Sequence, residues 1–172
     1  MFLKFIKELR LKKNIKFSLS KYKPLASPDK VITVGILIDE TYFASKEALM
    51  QELVDRNIDR NNIQTLSFVG RVKKGLEPDY CYFTNKDIDT SGTFIKQDVI
   101  DFINTPFDLL ISYYDVQKAA LALATIHNKA KFKTGFATID KRLNTFIISS
   151  QAEKYKEFVD ELFKYLKILN KI

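Results

Sequence analysis

The chain has 172 residues, of which 46% are hydrophobic, and its formal net charge is +7 at pH 7. This composition excludes a disordered chain, and the single cysteine, Cys81, excludes an internal disulfide and a cysteine-based zinc site. The apolar runs fall short of the ~20 residues that span a bilayer, and charges interrupt residues 1–16 too often for a secretory signal. We therefore expect a cytoplasmic protein without a transmembrane segment.

The net charge is concentrated at the N-terminus. Residues 1–30 contain nine of the 28 basic residues but two of the 21 acidic ones, so residues 31–172 contain nineteen of each and are neutral. Charge segregated in this way predicts an anionic partner. We divide the chain into a basic N-terminal arm, residues 1–29, and a single α/β domain, residues 30–172.

The arm is predicted to begin with an amphipathic helix. Four apolar residues have the spacing of one helix face: Phe2, Phe5, Ile6 and Leu9. Apolar and polar residues then alternate over residues 15–20, which predicts an extended segment. Proline-containing steps in residues 23–29 indicate a linker.

The domain alternates between strand and helix patterns. Strands are predicted at residues 31–38, 63–69, 80–84, 107–113, 132–137 and 145–149. Helices are predicted at residues 45–56, 94–103, 116–128 and 152–169. This alternation predicts an α/β three-layer sandwich with a mostly parallel, Rossmann-like or flavodoxin-like sheet.

The basic residues of the arm form the first candidate binding site. They are Lys4, Lys7, Arg10, Lys12, Lys13 and Lys16. The sequence allows three interpretations of the arm helix. It packs its apolar face on the domain, it lies on an anionic membrane surface, or it binds nucleic acid such as ribosomal RNA. Phe17 and Tyr22 among the lysines suit stacking on single strands. A protein partner that buries the arm or the C-terminal helix is a further alternative.

The second candidate site is a set of carboxylates at strand ends. Asp39 and Glu40 follow the first predicted strand, and Asp115 follows the strand at residues 107–113. Ligands of open parallel sheets bind beyond the carboxyl ends of the strands, so these side chains converge if the two strands are neighbours. They would then bind a cation or act as a general base. Alternatively, they cap the following helices.

Motifs for cofactors are absent from the sequence. It has neither the G-x-G-x-x-G nor the G-x-x-x-x-G-K-[ST] phosphate-binding motif, and no His/Cys cluster, so we expect no cofactor and no metal. Residues 89–93, around Gly92, favour a plain turn over an anion nest. The basic residues 71–74 predict a solvated loop, or one that holds an acidic ligand or extends the charged surface of the arm. The only histidine, His127, has no evident catalytic partner.

Residues 106–136, PFDLLISYYDVQKAALALATIHNKAKFKTGF, and the upstream YCYFTNKDID resemble an uncharacterised family of small cytoplasmic proteins from Bacteroidota bacteria. The resemblance covers most of the chain and implies a single α/β domain without assigned catalytic residues. The same stretch is similar to the N-terminal Rossmann-like half of heptosyltransferase-type glycosyltransferases, with a short strand ending in Gly135 and Phe136. This similarity implies a shared fold and no activity.

These observations favour a non-enzymatic binding protein whose basic arm docks on RNA or on a membrane surface. The alternative is a small-ligand-binding protein or an enzyme that uses Asp39, Glu40 and Asp115.

Overall fold

The computed structural model describes residues 2–23, 27 and 29–172, with side chains from residue 5 onward. Its helices are α1 (Phe2–Lys21), α2 (Lys46–Val54), α3 (Gln97–Asn104), α4 (Ala119–His127) and α5 (Tyr155–Ile168). Its strands are β1 (Val34–Asp39), β2 (Ile63–Phe68), β3 (Tyr82–Phe83), β4 (Leu109–Tyr113), β5 (Lys133–Phe136) and β6 (Phe146–Ile148). Every strand and helix predicted for the domain is present, within three residues at each end.

The described strands form one six-stranded parallel sheet in the order β3-β2-β1-β4-β5-β6. All six positions of β1 are buried, because helices cover both faces of the sheet. Residues of α1, α3 and α4 share one core cluster, and residues of α2 and α5 share the other. The predicted three-layer α/β sandwich is confirmed. Its order reverses direction between β1 and β4, which is the switch point of a Rossmann-like sheet.

The extended segment predicted within the arm is wrong, because α1 continues as a helix to Lys21. Leu11, Ile15 and Leu19, spaced four residues apart, are buried in the core cluster shared with α3 and α4. Phe17, between two of them, is 61% exposed. The alternation over this stretch therefore separates an inner from an outer helix face.

Polar contacts also attach α1 to the segment that follows β3. The Lys7 amine donates hydrogen bonds to the carbonyls of Asn85, at 2.8 Å, and of Ile88. The Asn14 amide donates to the Ser91 carbonyl at 2.9 Å. The helix of the arm is thus fixed to the domain by apolar packing on one side and by these bonds at its edge.

Gly35 in β1 is required by the close approach of a ring. A Cβ added there would lie 2.6 Å from Cδ2 of Phe107, which is itself buried. We expect Gly35→Ala to lower the free energy of unfolding by about 1–3 kcal/mol, as overpacked core sites do. Chemical denaturation measures this change.

Gly70→Ala is the matched control, because a Cβ there meets no atom closer than 3.4 Å, the Oγ1 of Thr41. Equal stability of the Gly35→Ala and Gly70→Ala proteins would contradict the proposed clash.

Candidate functional site

The carboxylates predicted at the strand ends lie at one edge of the sheet. Since β1 and β4 are neighbours with Ile38 opposite Tyr113, the segments that follow them emerge side by side. Convergence of Asp39, Glu40 and Asp115 required that their two strands be neighbours, and this requirement is met. Each of the three side chains, however, has a partner within the chain.

Asp39 is buried at the switch point and forms an ion pair with Lys118. The Lys118 amine lies 2.5 Å from Oδ2 of Asp39, and the backbone N–H of Thr41 donates to Oδ1 at 3.0 Å. Lys118 precedes α4 and also lies 4.5 Å from the ring centre of Tyr42. This ion pair joins the end of β1 to the segment between β4 and α4 at the switch point, beyond which Rossmann-like sheets hold their ligands.

Glu40 is the acceptor of a local network at the end of β1. Its carboxylate lies 2.7 Å from the Lys46 amine, and it accepts hydrogen bonds from the hydroxyls of Ser67, at 2.7 Å, and of Tyr80. Burial raises the pKa of this carboxyl, but the three hydrogen bonds outweigh burial and hold the pKa below its usual value. The charge of Glu40 is thus neutralised within the chain.

Asp115 neither caps α4 nor completes a metal site. The helix begins at Ala119, and Oδ2 of Asp115 instead accepts a hydrogen bond from the backbone N–H of Ala152 at 3.3 Å. Within the described ranges, no three His, Cys, Asp or Glu side chains are grouped so as to hold a metal ion.

The exposed side of α1 combines cations with apolar groups. We define the outward face of α1 as Phe5, Leu9, Lys12, Lys13, Lys16 and Phe17, all of which are exposed. No ion pair joins its lysines to an acidic side chain in the part of the chain that the structure describes. Since Leu11, Ile15 and Leu19 form the packing face, the predicted apolar stripe at Phe5 and Leu9 remains in solvent. The side chains of Phe2 and Lys4 lie outside the described residues.

A groove of about 1480 Å³ lies beside β3, between α1 and the loop that follows β2. We define the basic groove by its charged lining residues: Lys7, Arg10, Arg71, Lys73, Lys74, Lys86, Glu77 and Asp87. Six of these are basic and two acidic, so the groove is strongly cationic. It combines two features that the sequence places far apart, the arm and the basic loop at residues 71–74.

The segment at residues 89–93 forms the predicted turn beside this groove. Oδ1 of Asp89 accepts hydrogen bonds from the backbone N–H groups of Ser91, at 2.8 Å, and Thr93, at 2.9 Å. The amides that an anion nest would present are therefore occupied by Asp89.

A smaller cavity of about 380 Å³ lies at the C-terminal end of α4 and contains a buried lysine. The Lys133 amine donates to the carbonyls of Thr125, at 2.5 Å, and Asn128, at 2.8 Å. Burial, together with the charge of Lys129, lowers the pKa of Lys133 to about 7. His127 lines the same cavity, and burial lowers its pKa as well. The cavity lining includes no serine or cysteine.

The fold and these sites define an α/β protein with a Rossmann-like sheet, a bridged switch point and a basic groove beside β3. The chain belongs to a family of unknown function (DUF6913), which matches residues 7–169 and so includes most of α1. No curated protein and no solved structure matches the chain. Among the described residues, no helix is sufficiently long and apolar to cross a bilayer.

Proposed function

We propose that the protein is a non-enzymatic binding module that docks on an anionic partner through the outward face of α1. The observation that carries the proposal is the exposure of Lys12, Lys13 and Lys16 without an acidic partner among the described residues. An RNA or an anionic membrane surface has the charge that these lysines would recognise.

The attachment of α1 to the domain supports this proposal. Since Leu11, Ile15 and Leu19 are buried, the helix is held in place before any partner arrives. A fixed helix loses less conformational freedom on binding than a disordered basic tail does. Phe5 and Leu9, at 60% and 50% exposure, add apolar surface that a partner would cover.

The carboxylate edge supports a ligand site less well. Any ligand there would have to displace Lys118 from Asp39 and Lys46 from Glu40. Removing one partner of a buried ion pair leaves an uncompensated charge, which costs several kcal/mol. For this reason we place binding at α1.

Substitution of exposed lysines tests the proposal more cleanly than deletion of the arm, which would uncover the core residues of α1. The variant combines Lys12→Gln, Lys13→Gln and Lys16→Gln. We expect the wild-type protein to bind an RNA or vesicles with anionic lipid, with an affinity that falls steeply with salt. For single-stranded RNA, the slope of log K against log salt concentration should fall by about 2 in the variant. For vesicles, the variant should lose about 1 kcal/mol per lysine.

The matched control removes three exposed lysines from other surfaces, by Lys129→Gln, Lys141→Gln and Lys167→Gln. It lowers the net charge equally, so general attraction to polyanions weakens equally. If both triple variants bind alike, or if the wild-type protein binds neither partner, the outward face of α1 is not a docking surface.

A further inference from the structure

We infer that the basic groove binds the sugar–phosphate backbone of a single-stranded nucleic acid. This inference rests on the proposed function and names its partner. It assigns the groove as a second surface, separate from the outward face of α1.

The charges of the groove support binding of a polyanion. Among the described residues, none of its basic side chains forms an ion pair with an acidic one; of the six, Lys7 is engaged by backbone carbonyls. Five cations therefore remain to neutralise phosphates: Arg10, Arg71, Lys73, Lys74 and Lys86. Each phosphate contact releases condensed counterions and adds affinity.

The two acidic residues of the groove are held by local hydrogen bonds. Oε1 of Glu77 accepts from the backbone N–H of Gly75 at 3.2 Å. Oδ2 of Asp87 accepts from the backbone N–H of Thr84 at 2.7 Å and from its hydroxyl at 2.9 Å. Among the described residues neither carboxylate forms an ion pair with a basic side chain of the groove, and its six basic and two acidic lining residues keep a net charge of +4.

The size and position of the groove favour a chain over a compact metabolite. Small-molecule pockets usually enclose about 300–1,000 Å³, whereas this groove has about 1480 Å³ and is open to solvent. Its cations come from two walls, since α1 provides Arg10 and the loop after β2 provides Arg71, Lys73 and Lys74. A single strand lying between the walls would place its phosphates in contact with both. A flat bilayer would contact only protruding surfaces and would not enter the groove.

An aromatic side chain beside the cations favours nucleic acid over other polyanions. Tyr82 lines the groove and is partly exposed, and the Lys96 amine covers one face of its ring, 3.7 Å from the ring centre. Single-strand binding sites combine a cationic track with aromatic rings on which bases stack. Inorganic polyphosphate has the same charge and no bases, which makes it the decisive competitor.

The test uses full-length protein and fluorescent oligouridylate over a salt series. The groove variant combines Arg71→Gln, Lys73→Gln, Lys74→Gln and Lys86→Gln, all at exposed positions. We expect the slope of log K against log salt concentration to fall by about 3 and the affinity at low salt to fall more than about tenfold. Thermal unfolding checks that the variant remains folded, and four Lys→Gln changes at positions 129, 141, 154 and 167 provide the control of equal charge.

The outcomes separate this inference from the proposed function. Loss of binding in the groove variant but not in its control supports the inference, and weaker competition by polyphosphate than by unlabelled oligouridylate identifies the nucleic acid. Unchanged binding by the groove variant, with loss on substitution of Lys12, Lys13 and Lys16, overturns the inference and leaves the proposed function standing. Tighter binding to an RNA duplex or to anionic vesicles than to the single strand also overturns it.

Discussion

Replacing Phe158 by alanine should lower the free energy of unfolding by about 3–5 kcal/mol, the range for a buried phenylalanine. Phe158 is fully buried on the inner side of α5. Its ring centre lies 4.7 Å from that of Phe136 in β5 and 5.1 Å from that of Tyr113 in β4. Truncation would therefore remove ring contacts with two neighbouring strands and leave a cavity at the centre of this helix–sheet interface.

Ile168→Ala provides a control on the same helix, because Ile168 is 64% exposed. We expect this change to alter the free energy of unfolding by less than about 0.5 kcal/mol, as surface substitutions usually do. Urea denaturation of both variants measures the difference. A loss in Phe158→Ala no larger than in Ile168→Ala would show that α5 does not pack on the sheet as described.

The free energy of unfolding should rise with pH above neutrality because of Lys133. Its pKa is about 7 in the folded protein and returns to about 10.5 on unfolding, so the unfolded chain binds more protons between these values. The cost of burying the protonated amine is complete below about pH 7 and disappears as pH rises toward 10.5. The whole effect is about 5 kcal/mol for a shift of this size.

Lys133→Met removes this titration and also the hydrogen bonds to the carbonyls of Thr125 and Asn128 at the C-terminal end of α4. We expect the stability of the wild-type protein relative to the variant to rise by about 3 kcal/mol between pH 6.5 and pH 9.5, where most of the burial cost has gone and the neutral amine still donates. The measurements stay below pH 10, because above that value the raised pKa of Tyr22, about 12, also makes the free energy of unfolding depend on pH. Parallel profiles of the free energy of unfolding against pH for the wild-type protein and Lys133→Met would contradict a buried, titrating Lys133. As a control at an exposed site, Lys141→Met should give the wild-type profile.

The domain was predictable because its strands are continuous apolar runs and its helices carry spaced apolar residues. The error in α1 has a specific cause. Ile15, Phe17 and Leu19 alternate with polar residues as in a strand, and five residues are too few to separate a period of 2 from one of 3.6. Including Leu11 gives spacings of four residues, which indicate the helix that the structure contains.

The sites were less predictable than the fold, because they depend on strand order and packing. The sequence indicated that Asp39 follows a strand, but its partner Lys118 is recognised only once β1 and β4 are known to be neighbours. The loop at residues 71–74 was identified as basic. Its position opposite Arg10 and near Lys86 follows from the docking of α1, which no local pattern encodes.

The two walls of the basic groove come from distant parts of the chain, and this couples occupancy of the groove to the attachment of α1. A ligand that contacts both Arg10 and Lys73 can bind tightly only when the helix is docked. By mass action, such a ligand favours the docked state, and the protection of α1 from proteases would increase with ligand concentration. For such a ligand, the core residues Leu11, Ile15 and Leu19 would determine affinity without touching it.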